Sequence, residues 1–181
     1  ASNNTLTNNT ASNNSQFGIA LWSASGNTLT NNISANNTQY GFYLQTSSNN
    51  NILNNNTSSN NSQAGFYFYS SGNNLLTNNT SLNNGYYGFY LDISSGNKFY
   101  YNLCSNSNNS ALGYGVYLLS SSNNYFSQNT IDSNVRHQVY IVGASGNDTF
   151  TKNNFKTSAT NPDSGVFIGC DTSFDFRYNY W

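Results

Sequence analysis

The sequence is poor in charged residues, and the few it has lie in one half of the chain. Only 11 of 181 residues are Asp, Lys or Arg, Glu and Met do not occur, and the formal net charge is −1. Residues 1–91 contain no Asp, Lys, Arg or His. Because the chain has neither a basic stripe nor an acidic tail, we expect no nucleic-acid partner. Any acid–base chemistry would have to come from the C-terminal half.

Long apolar runs are also missing. No run approaches the roughly 18 residues that a membrane span requires, so we expect no transmembrane segment. Asn makes up 39 of the 181 residues, a proportion also found in disordered, prion-like tracts. The 15 Tyr, 12 Phe and 2 Trp argue against disorder, because so many aromatic residues indicate a buried core. The length suits a single domain.

A short motif recurs along the whole chain. A Gly, once replaced by Gln, precedes an aromatic or aliphatic triplet, and a Ser/Gly/Asn turn follows. The anchor positions are Gly18, Gly41, Gly65, Gly88, Gly115, Gln138 and Gly165, in steps of 23, 24, 23, 27, 23 and 27 residues. Units of this length hold only short strands and cannot bury their own apolar face, whereas stacked copies can.

The repeat predicts an all-β parallel solenoid of about seven to eight coils of 23–27 residues, with equivalent strands paired in parallel. Residues 1–181 then form one domain. Within it, 1–15 is a half coil, 16–163 are regular coils, and 164–181 form a terminal coil with an aromatic cap or docking segment.

The Asn residues fit the corners of such coils. Asn tolerates the left-handed backbone of tight corners, and stacked side-chain amides form ladders. We expect two structural ladders. One contains Asn9, Asn32, Asn55, Asn78, Asn102 and Asn129. The other contains Asn13, Asn36, Asn60, Asn83, Asn106 and Asn134.

Strand alternation sorts the triplet into two faces. Its first and third residues, such as Phe42 and Leu44, point inward, and its middle residue points outward. The outward row contains Tyr43, Tyr67, Tyr90, Tyr117 and Tyr140. Such a row packs well on a pleated surface without any ligand. It also predicts an aromatic platform for a glycan or a neighbouring subunit.

The pattern YGFYL…SSGN…L…N in residues 16–135 resembles right-handed parallel β-helix repeats of the NosD type, which occur in Asn-rich archaeal surface proteins. The closing run 178–181 (YNYW) is similar to a sequence that often follows these repeats. The resemblance implies a right-handed helix and an extracellular or cell-surface location. It implies no particular activity, because the family includes polysaccharide-acting enzymes and surface proteins alike.

Candidate catalytic groups are few. Asp92 is the single acid in its row, and Asp171, Asp175 and Arg177 form the one close group of charges. That group would suit a hydrolytic carboxylate pair or, with Asp163, a calcium site, but neither has further support in the sequence. The single His137 lacks partners at metal-ligand spacing. We therefore predict no catalytic site, no metal, no cofactor and no enzyme activity.

Modification sites follow from spacing. Cys104 and Cys170 are about three coils apart, or roughly 14 Å, which is too far for a disulfide, so we expect free thiols. Candidate N-glycosylation acceptors are Asn3, Asn8, Asn60, Asn108 and Asn147.

Two functions compete. The first is a structural surface protein that assembles head to tail into a filament or coat, so that its partner is itself. The docking residues would be Phe174, Phe176, Tyr178, Tyr180 and Trp181. The second is a polysaccharide-binding or polysaccharide-processing module that uses the Tyr row.

Overall fold

The computed structural model describes residues 1–108, 112–156, 165–170 and 172–181. Within these ranges the chain forms 21 short strands and no helix. Consequently, no described helix is long and apolar enough to cross a membrane. The strands form three parallel seven-stranded sheets, because each strand pairs with the one three places further along. The predicted all-β parallel solenoid is confirmed, and its seven described coils agree with the seven to eight predicted.

Each coil contributes one strand to each sheet, in the order A, B, C. Sheet A consists of β1 (Thr5–Thr7), β4 (Thr28–Thr30), β7 (Ile52–Asn54), β10 (Leu75–Thr77), β13 (Lys98–Tyr100), β16 (Tyr125–Ser127) and β19 (Thr149–Thr151). Sheet B consists of β2 (Thr10–Ser12), β5 (Ile33–Ala35), β8 (Thr57–Ser59), β11 (Thr80–Leu82), β14 (Leu103–Ser105), β17 (Thr130–Asp132) and β20 (Asn154–Lys156). Sheet C consists of β3 (Phe17–Trp22), β6 (Tyr40–Gln45), β9 (Ala64–Tyr69), β12 (Tyr87–Asp92), β15 (Tyr114–Leu119), β18 (His137–Val142) and β21 (Val166–Gly169).

The core lies between the three sheets and consists of in-register stacks. Phe42, Phe66 and Phe89 of sheet C stack with ring centroids 4.8 and 5.1 Å apart. In sheet A the central apolar residue is Leu in the earlier coils and Phe from Phe99 onward. The Phe99 and Phe126 rings are 4.3 Å apart. Identical residues stack because parallel, in-register pairing places equivalent positions about 4.8 Å apart.

The Gly of the repeated motif faces the opposite wall of the coil. Ser81 Oγ of sheet B donates a 3.0 Å hydrogen bond to the carbonyl of Gly88. A Cβ at Gly65 would collide with this Ser81 oxygen and would lie 2.9 Å from the Gly88 carbonyl. The motif therefore requires Gly because of close approach, and Ser81 completes the contact.

The Asn ladders lie one residue later than predicted in several coils. Asn9, Asn32, Asn102 and Asn129 do belong to a ladder. The other members between Asn9 and Asn153 are Asn56 and Asn79, and not Asn55 and Asn78. Asn55 and Asn78 are exposed and occupy the left-handed corner, with φ of 55° and 56°.

The same one-residue correction applies to the second predicted row except at Asn134, which is buried and accepts a 3.0 Å hydrogen bond from Ser107 N. The ladder contains Asn14, Asn37, Asn61 and Asn84, while Asn13, Asn36, Asn60, Asn83 and Asn106 hold left-handed corners. A third ladder, which the sequence interpretation missed, contains Asn4, Asn27, Asn51, Asn74, Asn97 and Asn124 and ends at Asp148. The two residues of each Asn-Asn corner thus have different structural roles. The first residue turns the backbone, and the second bonds along the rod.

Candidate functional site

The outer side of sheet C is covered by aromatic rings. Three outward positions of the sheet C strands supply them, and together they form what we call the aromatic face. Its rings belong to Phe17, Tyr40, Tyr43, Tyr67, Tyr69, Tyr87, Tyr90, Tyr114, Tyr117, Tyr140 and Phe167. The predicted Tyr row forms its centre. The row before each motif Gly, including Tyr40 and Tyr87, was missed, although an aromatic residue directly before Gly marks it in the sequence.

The central rings form one continuous row along the rod, stacked face to face except at Tyr90 and Tyr117, which meet edge to face at 86°. From Tyr43 the successive centroid distances are 5.1, 4.6, 5.1, 5.2 and 4.6 Å, ending at Phe167. Tyr43 and Tyr67 are only 8% and 9% exposed. The ring faces are largely covered because strand spacing places the rings against one another, and contact of this row with a glycan or a neighbouring subunit stays a prediction. The ring edges and hydroxyl groups remain to face solvent.

Asp92 lies in the middle of this face. Tyr67 Oη and Tyr90 Oη donate long hydrogen bonds of 3.4 and 3.5 Å to the same carboxylate oxygen, Oδ2. Desolvation raises the pKa of Asp92, and these two hydrogen bonds partly oppose the rise. The sequence showed Asp92 as the single acid in its row. The fold brings it two hydroxyl partners, one from a neighbouring strand.

Four tyrosine hydroxyls of the face have raised pKa values and stay protonated at neutral pH. Desolvation, followed by the charges of neighbouring groups, raises the pKa of Tyr43 and of Tyr87 to about 12. The same causes raise the pKa of Tyr67 and Tyr90 further. Neutral hydroxyls both donate and accept hydrogen bonds, so the face offers a comb of such groups repeated at the coil spacing.

The later coils add positive character. His137 continues the outer row and stacks on Tyr114 and Tyr140, with centroid distances of 5.9 and 5.4 Å. The charge of Arg136 lowers the pKa of the Tyr114 hydroxyl against the larger effect of desolvation. The aromatic face is thus acidic at its middle and basic toward its C-terminal coils.

The C-terminal charges form a surface ion pair. Arg177 donates two hydrogen bonds, of 2.9 and 2.8 Å, to the carboxylate of Asp175. These bonds lower the pKa of Asp175 to about 2. Asp163 and Asp171 lie outside the described residues. Across the described ranges, no three His, Cys, Asp or Glu side chains cluster to hold a metal ion.

The predicted docking residues divide into two groups. Phe176 stacks on Phe150 at 4.6 Å, and Phe174 packs against the core, so both cover its end. The other three, Tyr178, Tyr180 and Trp181, are 74%, 67% and 70% exposed. The bridges from Asp175 to Thr149 and from Tyr180 to Asn154 extend sheets A and B into a partial eighth coil. End-to-end docking stays a prediction.

The modification candidates are accessible. Asn3, Asn8, Asn60 and Asn147 are exposed left-handed corner residues, and Asn108 is exposed. Glycosylation of these side chains stays a prediction. Both cysteines are free thiols, with Cys104 buried and Cys170 half-buried.

Comparison with known proteins gives a family and a set of similar folds. A family model described as a right handed beta helix region matches residues 1–103 and 50–155. Among curated proteins, no match is found. The A-module of the Azotobacter vinelandii mannuronan C-5 epimerase AlgE4 superposes with a TM-score of 0.86 and 19% identity, over 99% of this chain and 53% of that one.

Two further solved structures are similar. The A-module of the Azotobacter vinelandii mannuronan C-5 epimerase AlgE6 has a TM-score of 0.78 and 17% identity, over 98% of this chain and 58% of that one. The periplasmic alginate epimerase AlgG has a TM-score of 0.70 and 22% identity, over 85% and 39%. The chain spans about half the length of these structures, and at such identities the likeness shows the fold alone.

Proposed function

We propose that this chain, which belongs to the right-handed beta helix family, is a polysaccharide-binding module that acts outside the cytoplasm. The aromatic face is its contact surface. The observation that carries the proposal is the convergence of the Tyr67 and Tyr90 hydroxyls on Asp92 in the middle of that face. Carboxylates and neutral hydroxyls are the groups that bind sugar hydroxyls, and aromatic edges supply apolar contact beside them.

The geometry suits an extended ligand that lies along the rod. The same outward positions recur in each coil, so hydroxyl groups repeat at about the strand spacing of 4.8 Å. The proteins with similar folds are named as epimerases of mannuronan and alginate, which are long polysaccharides. AlgG is described as periplasmic, which supports an extracytoplasmic location for this chain by analogy only.

We assign binding rather than catalysis to the face. Among the described residues of sheet C, Asp92 is the one carboxylate, whereas glycoside hydrolysis generally employs a pair of carboxylates. The comparisons give no support to the predicted head-to-tail filament. We therefore develop the alternative that the sequence left open, the polysaccharide-binding module.

The proposal is tested by binding of a polysaccharide panel that includes mannuronan, followed by calorimetry on each ligand retained. Tyr90→Phe and Asp92→Asn should each weaken binding by roughly tenfold, because each removes a hydrogen-bonding group while preserving the packing. Matched controls are Tyr125→Phe on sheet A and Asp132→Asn on sheet B, which should leave binding unchanged. A panel with no ligand, or equal losses in the controls, would refute the assignment.

A further inference from the structure

A concave surface lies on a different side of the rod from the aromatic face. It is an open groove of about 660 Å³ at the corner between sheets A and B, within the last four coils. Its lining residues are Tyr101, Gln128, Asn129, Thr130, Lys152, Asn154 and Tyr180. Asn129 belongs to the buried ladder and forms the floor, while the other residues rise from the corner and from the first position of each sheet B strand.

The corner row changes character where the groove begins. In the first four coils this left-handed position is held by Asn8, Asn31, Asn55 and Asn78. In the later coils it is held by Tyr101, Gln128, Lys152 and Tyr178, with φ of 57°, 58°, 56° and 64°. Asn accepts this backbone readily because its side chain is short and polar. In the early coils a corner amide also bonds to the neighbouring coil, as Asn55 Nδ2 donates to Asn31 Oδ1 at 2.8 Å. Tyr, Gln and Lys lack that compensation, so the four later coils retain strained corners.

Nothing within the described fold compensates for this strain. Among the described residues, Lys152 Nζ and the Gln128 amide have no hydrogen-bond partner, and Tyr101 has no ring partner. Tyr101 is 54% exposed and Tyr180 is 67% exposed. Unfavourable backbone conformations held without an internal gain are characteristic of functional positions. The replaced side chains are therefore available to a molecule outside the described chain.

The groove has the composition of a carbohydrate site. Tyr101 and Tyr180 bracket it three coil steps apart, or roughly 14 Å. Between the two rings lie the amides of Gln128 and Asn154 and the hydroxyl of Thr130. Aromatic surface with interspersed amide and hydroxyl groups fits the alternating apolar and polar surface of a sugar chain.

The charge of Lys152 indicates which ligand charge the groove favours. It is the one charged residue in the lining, and nearby Arg177 is already paired with Asp175. Asp132 bonds to Ser133 at 2.7 Å and lies at the far end of its sheet B strand. A single ammonium group with no acceptor in the described chain favours a ligand that carries a carboxylate.

We propose that this corner groove binds a short acidic oligosaccharide, with the ring carboxylate held by Lys152 and the sugar rings against Tyr101 and Tyr180. The site shares no residue with the aromatic face. Failure of either proposal therefore leaves the other standing, and the variants below distinguish them.

The probe is trigalacturonate, measured by titration calorimetry at low salt, with its carboxyl-reduced neutral trimer for comparison. Lys152→Asn should lower the affinity by about tenfold to a hundredfold. It should also fold at least as stably as the parent, because Asn is the residue that the earlier coils place at this corner. The reduced trimer should bind the parent protein as weakly as trigalacturonate binds Lys152→Asn.

Lys156→Asn is the matched control, since it removes an equal charge from the same coil outside the groove. Its affinity for trigalacturonate should equal that of the parent. The proposal is overturned if the parent does not bind trigalacturonate, if Lys152→Asn binds it equally well, or if Lys156→Asn loses as much affinity. The last outcome would mean that net charge alone attracts the probe.

Discussion

Asp148 gives the sharpest test of how the ladders work. It ends the ladder that begins at Asn4, and it is completely buried. Its Oδ1 accepts hydrogen bonds from the backbone N and the side-chain Nδ2 of Asn124, at 2.7 and 3.0 Å. Its Oδ2 lies where other members carry an amide nitrogen, and no described residue donates to it. Burial raises the pKa of Asp148 from 3.8 to about 7, against the opposing effect of the Asn124 bonds.

The sign of the pH dependence follows from this difference. Since the folded-state pKa lies above the unfolded one, the folded protein binds the extra proton. The contribution of Asp148 to stability is therefore most favourable below about pH 4, falls as the pH rises to about 7, and is constant above that value. One pKa step is worth about 1.4 kcal/mol, so the penalty at neutral pH and above is about 4 kcal/mol.

Asp148→Asn should remove that penalty. The amide keeps the bonds to Asn124 and places a donor where the bare oxygen lies. In the same ladder, Asn97 Nδ2 donates a 3.3 Å hydrogen bond to the Ser71 carbonyl. We expect the new amide group to donate to an acceptor of the same kind. Urea unfolding followed by fluorescence should show the variant more stable by up to about 4 kcal/mol near pH 8, with the difference vanishing near pH 4.

Asp175→Asn is the control for this experiment. Its carboxylate has a lowered pKa, so its contribution to stability is lost only as the pH falls below about 4 toward about 2. The slope between about pH 5 and pH 8 should therefore match that of the parent. Parallel profiles for the parent and Asp148→Asn would refute the account, because the carboxylate would then be no more costly than an amide.

Four further substitutions test the packing, each by urea unfolding. Asn56→Ala should lower the free energy of unfolding by roughly 2–3 kcal/mol, because it leaves buried ladder groups unsatisfied. Asn55→Ala should lower it by only about 1 kcal/mol, through backbone strain. Equal losses would contradict the revised register. Cys104→Ser should change stability by less than about 1 kcal/mol, since Ser81 occupies the same place one coil earlier; a large loss would mean that the thiol packs in a way a hydroxyl cannot. Gly65→Ala should cost about 3 kcal/mol or prevent folding, because its Cβ would overlap Ser81; a neutral result would show that the walls yield.

The coil and its register could be predicted from the sequence because spacing alone fixes them. Once Gly41 and Gly65 are aligned, strand alternation places Phe42 inside and Tyr43 outside. The ladder position could not be read in the same way. Both residues of a pair such as Asn55-Asn56 suit a corner, and only the backbone φ shows which one turns.

The candidate sites depended on contacts that a linear pattern does not show. The stacking of Tyr67 on Tyr90 hides the ring faces, and it follows from strand spacing rather than from residue type. The corner groove had a signal in the sequence, namely the loss of Asn at Tyr101 and Lys152. The predicted Asn row was aligned on Asn102, one residue later, and in that alignment the loss of Asn from the corner is not visible.

The near-identity of the early coils has a consequence for folding. A strand of sheet A that docks one coil out of place still meets Leu29, Leu53 or Leu76. The correct and the shifted pairings therefore differ little in packing. In the later coils the inward residue of sheet B changes from Ser81 to Cys104, Ile131 and Phe155, and the coils differ in length. Mispaired states there place side chains of the wrong size against one another and are penalised. We expect correct register to be set first in the C-terminal half, with the uniform coils adding to it one at a time.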